Sequence, residues 1–442
     1  MTPTVPSNWG APALEELCIS VSDGDHQAPP KSVTGIPFIT ISSIADGKIA
    51  LERASRFVPL AYKEALEPNR DPQTGDIILS VTGSIGRAAI VENATFVFQR
   101  HIALIKTASS IERKYIYYFL TSPSTGSHLE DLATGTAQKT LPLSKLRTLR
   151  VPLPPLAEQK RIVAKLDALN AKSARARTEL SRIETLVSRY KQAVLSKAFS
   201  GELTRKDLRE LVARIKAGKN LRCDERPPQP HEKGVVKVSA VTWGEFRADQ
   251  SKTLPPDFEP DEDTRIKPGD FLFSRANTIE LVGAVVIVAN APDNLYLSDK
   301  ILRLEFNEPV EAWLLWYLRS PMGREALMNI SSGNQLSMRN IGQKSLLSLS
   351  VPYTDAALRT EIVRRIESAF AKIDRLAVEA KRALKLLGKL DEAILAKAFR
   401  GELVPQDEND EPAEKLLERI RTEREAAPKA KRGRGNGKGL DG

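Results

Sequence analysis

Ala193-Val194-Leu195-Ser196-Lys197-Ala198-Phe199-Ser200-Gly201-Glu202-Leu203 returns 200 residues later as Ala393-Ile394-Leu395-Ala396-Lys397-Ala398-Phe399-Arg400-Gly401-Glu402-Leu403. Val151-Pro152 returns at the same offset as Val351-Pro352. Sliding 151–204 onto 351–404 without a gap gives 19 identities in 54 positions, far above chance. A solenoid repeats every ~20–50 residues; this period implies a two-fold duplication of whole domains. Upstream segments correspond more loosely. Leu14-Glu15-Glu16-Leu17 with Gly24 resembles Leu208-Arg209-Glu210-Leu211 with Gly218. Gly75-Asp76 matches Gly269-Asp270, and Ser122-Pro123 matches Ser320-Pro321. The expected order is globular unit 1–150, helical unit 151–204, globular unit 205–350, helical unit 351–427 and a basic tail 428–442 read as disordered.

The helical units carry a stripe. Ile162, Leu166, Leu169, Ser173, Ala176, Leu180, Ile183, Val187, Tyr190 and Val194 alternate spacings of four and three, as do Ile362, Ile366, Ala369, Ile373, Leu376, Ala380, Ala383, Leu387, Leu390 and Ile394. That alternation is a coiled-coil seam. Two helices in one chain with one kind of stripe are expected to pair antiparallel. The alternative is that each packs on its own domain. Val151-Pro152-Leu153-Pro154-Pro155 reads as a stiff extended lead-in. Gly-Glu-Leu at each helix end puts glycine where a left-handed cap is wanted. Glu411–Glu425 reads as a charged amphipathic helix.

Both globular units read as α/β. Strands are expected at Pro37–Ile44, Asp76–Val81, Arg87–Glu92 and His101–Lys106, then at Val235–Val241, Asp270–Phe273, Ala284–Val288 and Ile301–Phe306. Helices are expected at Glu112–Leu120 and Val310–Leu318. Three polar loops recur in each unit. The first unit has 22–26, 80–87 and 134–139; the second has 216–220, 274–278 and 332–335. Gln, Asn, Arg and Lys read base edges, and Ser/Thr on a glycine-rich backbone suit phosphates. The DNA-contact candidates are therefore Ser80, Thr82, Ser84, Arg87, Thr136, Gln138 and Lys139 in the first unit. In the second they are Lys219, Arg275, Asn277, Asn334 and Gln335.

The 442 residues hold 66 Lys+Arg against 56 Asp+Glu, a net charge of +10 that points to a polyanionic partner. No apolar run approaches the ~18 residues of a spanning helix, and the first residues lack a signal-peptide pattern. Cys18 and Cys223 are too few for a disulfide framework or a four-cysteine zinc site. His26, His101, His128 and His231 lack metal-ligand spacing. Gly83-Ser84-Ile85-Gly86 is a short turn, not a dinucleotide fingerprint. Neither a Walker pattern nor an adenine-methyltransferase or common nuclease motif is present, so no catalytic, cofactor or metal site is expected. A cytoplasmic, reducing compartment fits.

These residues resemble the specificity subunit of type I restriction-modification systems. The resemblance rests on Val151-Pro152-Leu153-Pro154-Pro155-Leu156-Ala157-Glu158-Gln159, on Ala198-Phe199-Ser200-Gly201-Glu202-Leu203, and on Ala398-Phe399-Arg400-Gly401-Glu402-Leu403-Val404-Pro405. The second lead-in departs, with Tyr353-Thr354-Asp355-Ala356-Ala357-Leu358-Arg359 in place of Pro-Pro and Glu-Gln. The resemblance implies a prokaryotic protein without chemistry of its own. Each globular unit would read one half of a split, asymmetric site on double-stranded DNA. The helices would set the spacing and dock two modification subunits. Those partners use S-adenosylmethionine, and restriction subunits use ATP and Mg to cut. The competing reading is a coiled-coil scaffold that binds proteins only, distinguished by a lack of salt-dependent duplex binding. A self-sufficient DNA-modifying enzyme is a third reading, opposed by the missing motifs.

Overall fold

A computed structural model describes residues 6–24, 29–45, 47–136, 138–335 and 338–427. Its contacts divide into two compact units, Met1–Thr178 with Ala383–Gly442, and Glu179–Arg382. Each takes in part of two long helices, a central one, Leu156–Ala198, and a distal one, Ala356–Phe399.

The first unit is built on a four-stranded antiparallel sheet in the order Cys18–Asp23, Ile102–Thr107, Ile77–Ser80, Ala88–Ile90. The second has Val212–Ala217, Ile301–Phe306, Phe271–Ser274, Val285–Ile287 in the same order. The edge strands even shift register at matching places, between Cys18 and Ser20 and between Val212 and Arg214. A smaller sheet accompanies each. Its middle strand, Ile36–Ile39 or Gly234–Val236, pairs antiparallel on one side and parallel on the other. The central strands Ile77–Ser80 and Phe271–Ser274 are buried throughout, which is why they are apolar on both faces.

The recurring Gly-Asp and Ser-Pro pairs have physical reasons. Gly75 and Gly269 adopt left-handed φ of 96° and 93°, a conformation glycine takes at little cost. The next residue closes the turn: Asp76 accepts from the Gln73 amide at 2.8 Å, and Asp270 from Lys267 at 2.9 Å. Each carboxylate also meets a cation from the neighbouring strand, Lys106 at 2.6 Å and Arg303 at 3.3 Å. Ser122 and Ser320 cap the helices Pro123–Asp131 and Pro321–Ile330, accepting from Thr125 and Gly323 amides, with proline in the first turn.

In the first unit Ile162, Val163 and Leu166, at the start of the central helix, share a core with Ala398 and Phe399, at the end of the distal helix. Asp391 there accepts from Ser173 at 2.6 Å and Arg177 at 2.7 Å. In the second unit Leu195 and Phe199 share a core with Ile366, and Lys191 meets Asp374 at 2.5 Å. Leu416 and Ile420 of the helix Ala413–Ala426 are fully buried in the first unit's core. Burial of each such side chain stabilises by about 1.5–3 kcal/mol.

Several expectations need correction. The run 37–44 breaks after Ile39 into a short turn, Ile41–Ser43, in which Ser43 Oγ accepts from the Thr40 amide. Residues 235–241 leave the strand at Val236 and become the helix Ser239–Thr242; Thr242 Oγ1 donates to the Val238 carbonyl at 2.7 Å. Ser22-Asp23 and Lys216-Ala217, expected in loops, end the edge strands instead. Tyr190, Leu376 and Leu390 are exposed at 61%, 64% and 52%, while Lys191, Ala377 and Asp391 are half-buried. The 3.6-residue turn drifts against a 3.5-residue repeat, so the inward stripe moves on by one residue. Gly401 is left-handed at φ 77° but Gly201 is not among the left-handed glycines. Asp25, His26, Ala137 and the tail 428–442 lie outside the described residues.

Candidate nucleic-acid interface

In the first unit the turn 80–87 leaves the end of the buried strand Ile77–Ser80. Gly83 and Gly86 take left-handed φ of 70° and 88°. Ser80 sits inside the turn, donating to the Ser84 carbonyl and accepting from the Arg87 amide at 2.9 Å. The Gly83 amide donates to the Lys139 carbonyl at 2.9 Å, and Leu141 to Val81 at 2.7 Å. Thr82 bridges to Thr140, and Thr134 pairs with Thr140. Val81 in turn donates to the His101 carbonyl at 2.9 Å. These bonds bring the glycine turn and the segment 134–140 together. Ser84, Arg87, Thr136, Gln138 and Lys139 are exposed there. Ser80 and Thr82 are not: at 0% and 4% exposure they are the turn's internal pins, removed from any outside contact.

The second unit repeats the backbone scheme. Arg275 donates to the Lys300 carbonyl at 2.9 Å, and Ile341 to the Arg275 carbonyl at 2.8 Å. Here the segments become a three-stranded sheet in the order Ala276–Asn277, Met338–Asn340, Ser332–Gln335. Asn277, Asn334 and Gln335 therefore fall on one small sheet, which Arg275 immediately precedes. Arg275 Nε donates to Asn340 Oδ1 at 3.3 Å. Asn277 Nδ2 donates to Thr242 Oγ1 at 3.3 Å, while its Oδ1 accepts from the Thr278 amide at 2.9 Å. Both side chains are half-buried and already partnered, unlike the exposed set of the first unit.

Lys219 stands apart from that sheet. It follows the edge strand, is exposed, and lines a cleft of about 320 Å³ with Lys237, Lys252 and Lys300. Glu225 lies between Lys252 at 2.6 Å and Lys237 at 3.4 Å. Three residues that the sequence reading does not name support or flank this sheet. Arg339 holds the hairpin through Ser331 Oγ and the Ser331 and Gly333 carbonyls. Met338 is 71% exposed and Trp243 is 60% exposed. Composition alone marks none of them, since pairing across the hairpin decides which face Met338 and Arg339 take.

Among the described residues no group of His, Cys, Asp and Glu is arranged to hold a metal, and no helix is long and apolar enough to cross a membrane. Burial pushes the Cys18 thiol up to about 12.

The family model described as "Type I restriction modification DNA specificity domain" matches residues 6–185. The EcoKI specificity subunit of Escherichia coli K12 is 27% identical over 421 residues, covering 89% of each chain. The StySPI specificity subunit of Salmonella potsdam is 26% identical, covering 88% of this chain and 89% of that one. Among solved structures, a chain of a type I R-M system superposes with a TM-score of 0.67 at 20% identity, over 90% of this chain and all of the other. The HsdS subunit from Thermoanaerobacter tengcongensis gives 0.61 at 19%, over 90% and 98%.

Proposed function

The chain belongs to the specificity subunits of type I restriction-modification enzymes, and from that premise we propose that it reads a bipartite, asymmetric site on double-stranded DNA. Residues 1–150 and 205–350 act as two recognition domains descended from an internal duplication. The central and distal helices pair as an antiparallel coiled coil that fixes the distance between half-sites and docks two modification subunits. Those partners supply the S-adenosylmethionine-dependent methylation, and ATP-driven restriction subunits the cleavage. This chain contributes specificity and no catalysis, in the cytoplasm of a prokaryote.

One observation carries this reading. In each unit, at equivalent points of an equivalent sheet, a polar turn and a second polar segment are tied into one patch, at Gly83 with Lys139 and at Arg275 with Asn340. The equivalent strand orders and edge-strand register shifts support the duplication. The shared helix-end cores and the Asp391 and Asp374 pairs support the antiparallel arrangement. The test is replacement of 207–350 by the corresponding unit of a relative, followed by methylome sequencing in a host carrying the partner subunits. One half-site is expected to change and the other to persist. A change in both half-sites would refute modular reading.

A further inference from the structure

The second unit contains two half-buried arginines that share one cleft. Arg319 ends the helix Glu311–Arg319, and Arg324 lies in the first turns of Pro321–Ile330. They line a cleft of about 380 Å³ with Gln192, Thr242, Gly244 and Glu280. Arg319 donates to the carbonyls of Gly244 at 2.7 Å and Val285 at 2.8 Å, and its guanidinium sits 5.5 Å from the Trp316 ring. The Arg324 guanidinium donates, among the described residues, only to the Glu280 carbonyl, at 2.9 Å. Among the described residues no carboxylate forms an ion pair with either, and the Glu280 side chain is exposed. The more deeply buried arginines are treated differently: Arg303 meets Asp270, and Arg359 meets Glu308 at 2.6 Å. Burial lowers Arg319 to about 10 and lowers Arg324 as well, so the cleft holds positive charge against a desolvation cost.

Both arginines are half-buried, and cations drawn partly out of water are ordinarily paired. Neutral carbonyls satisfy hydrogen bonds without cancelling charge, and Arg324 has donors to spare. The planar fork of a guanidinium matches two oxygens of a phosphate. The cleft also adjoins the candidate reading surface, because Thr242 on its rim holds Asn277 of the small sheet, with exposed Trp243 next in the chain. We propose that this cleft is a phosphate-binding site for the backbone of bound duplex DNA, with Arg324 and Arg319 as its cations. The proposal deepens the DNA-reading function and rests on it. It belongs to the second unit alone. By the Ser122-Pro123 to Ser320-Pro321 correspondence, the first unit has Thr121 and Gly126 where these arginines stand.

Arg324 is the better probe, since Arg319 ties Gly244 to Val285 and its loss would disturb the fold. Full-length chain carrying Arg324→Gln or Arg324→Lys is titrated with a pool of random-sequence duplexes over a range of salt. Arg324→Gln is expected to weaken binding roughly tenfold on all sequences alike. It should also flatten the dependence of log affinity on log salt by about one unit, with sequence preference unchanged. Arg324→Lys keeps the charge and most of the slope. A wild-type slope in Arg324→Gln, with the parent chain binding duplex normally, overturns the cleft and leaves the recognition reading standing. A parent chain that does not bind duplex overturns both. Loss of assembly with the modification subunits at an unchanged DNA slope also overturns the proposal, and gives the cleft to an acidic protein surface.

Discussion

Four polar residues of the turn 80–87 were grouped by sequence as DNA contacts, and burial separates them. Ser84 and Arg87 face outward, while Ser80 and Thr82 hold the turn from inside. Their alanine variants should therefore fail differently. Ser80→Ala leaves the Arg87 amide without its acceptor and should cost about 1–3 kcal/mol of stability, read as a lower denaturant midpoint. Gln138→Ala, on an exposed residue of the adjoining segment, should leave stability alone. If the amide makes a bidentate base contact, its loss relaxes one position of the site by about 1–3 kcal/mol. Lys139→Ala should instead weaken all sequences alike. Selection from a random duplex library separates these outcomes. Wild-type selectivity in both Gln138→Ala and Lys139→Ala would remove this patch from the interface. Residue type was legible in the sequence here; the inside or outside of a tight turn was not, because it depends on which hydroxyl the backbone closes around.

Secondary structure was legible where one face or both are committed to a core. The runs at 77–80, 102–105, 271–274 and 301–304 are mostly apolar and buried, and they lie in strands. The edge strands Cys18–Asp23 and Val212–Ala217 were not anticipated. Val212–Ala217 is half-exposed, and what makes it a strand is pairing with residues about 90 positions away. The departure from the family pattern at 353–359 is milder than the sequence suggests. Gln159 donates to the Pro154 carbonyl at 2.9 Å, and Arg359 donates to the Thr354 carbonyl, the same place in the second lead-in, at 2.7 Å. Likewise Tyr115 and Trp313 both donate to the carbonyl of the recurring Val-Pro proline, Pro152 and Pro352. The matched serine caps offer a test. Ser122→Ala and Ser320→Ala each remove a buried Oγ that bonds the first helical turn. Each should cost about 1–2 kcal/mol, read as a drop in midpoint by chemical denaturation. A cost in one unit only would argue against equivalent roles for the two Ser-Pro pairs.

At the scale of the whole molecule, the two long helices provide the test of spacing. The central helix runs unbroken from Leu156 to Ala198 and the distal one from Ala356 to Phe399. If they act as a paired ruler, length in both must be changed together. Facing positions follow from Arg177 and Ser173 meeting Asp391, so one heptad inserted after Ala176 and one after Leu387 keeps the pairing in step. Seven residues at 1.5 Å each add about 10 Å. Along duplex DNA, at 3.4 Å per base pair, that is roughly three base pairs. Selection from a library of half-site spacings should then return a gap longer by about that amount, with both half-sites unchanged. Affinity should fall as well, because the added DNA also turns, and the second patch must still meet its groove. Four residues added to one helix alone should break the stripe and lower stability without defining a new spacing. A folded double-heptad variant that keeps the parental spacing would reject the ruler. The helices would then be extensions of their own units' cores, as the burial of Ile162 and Leu166 in the first unit and Ile366 in the second already permits.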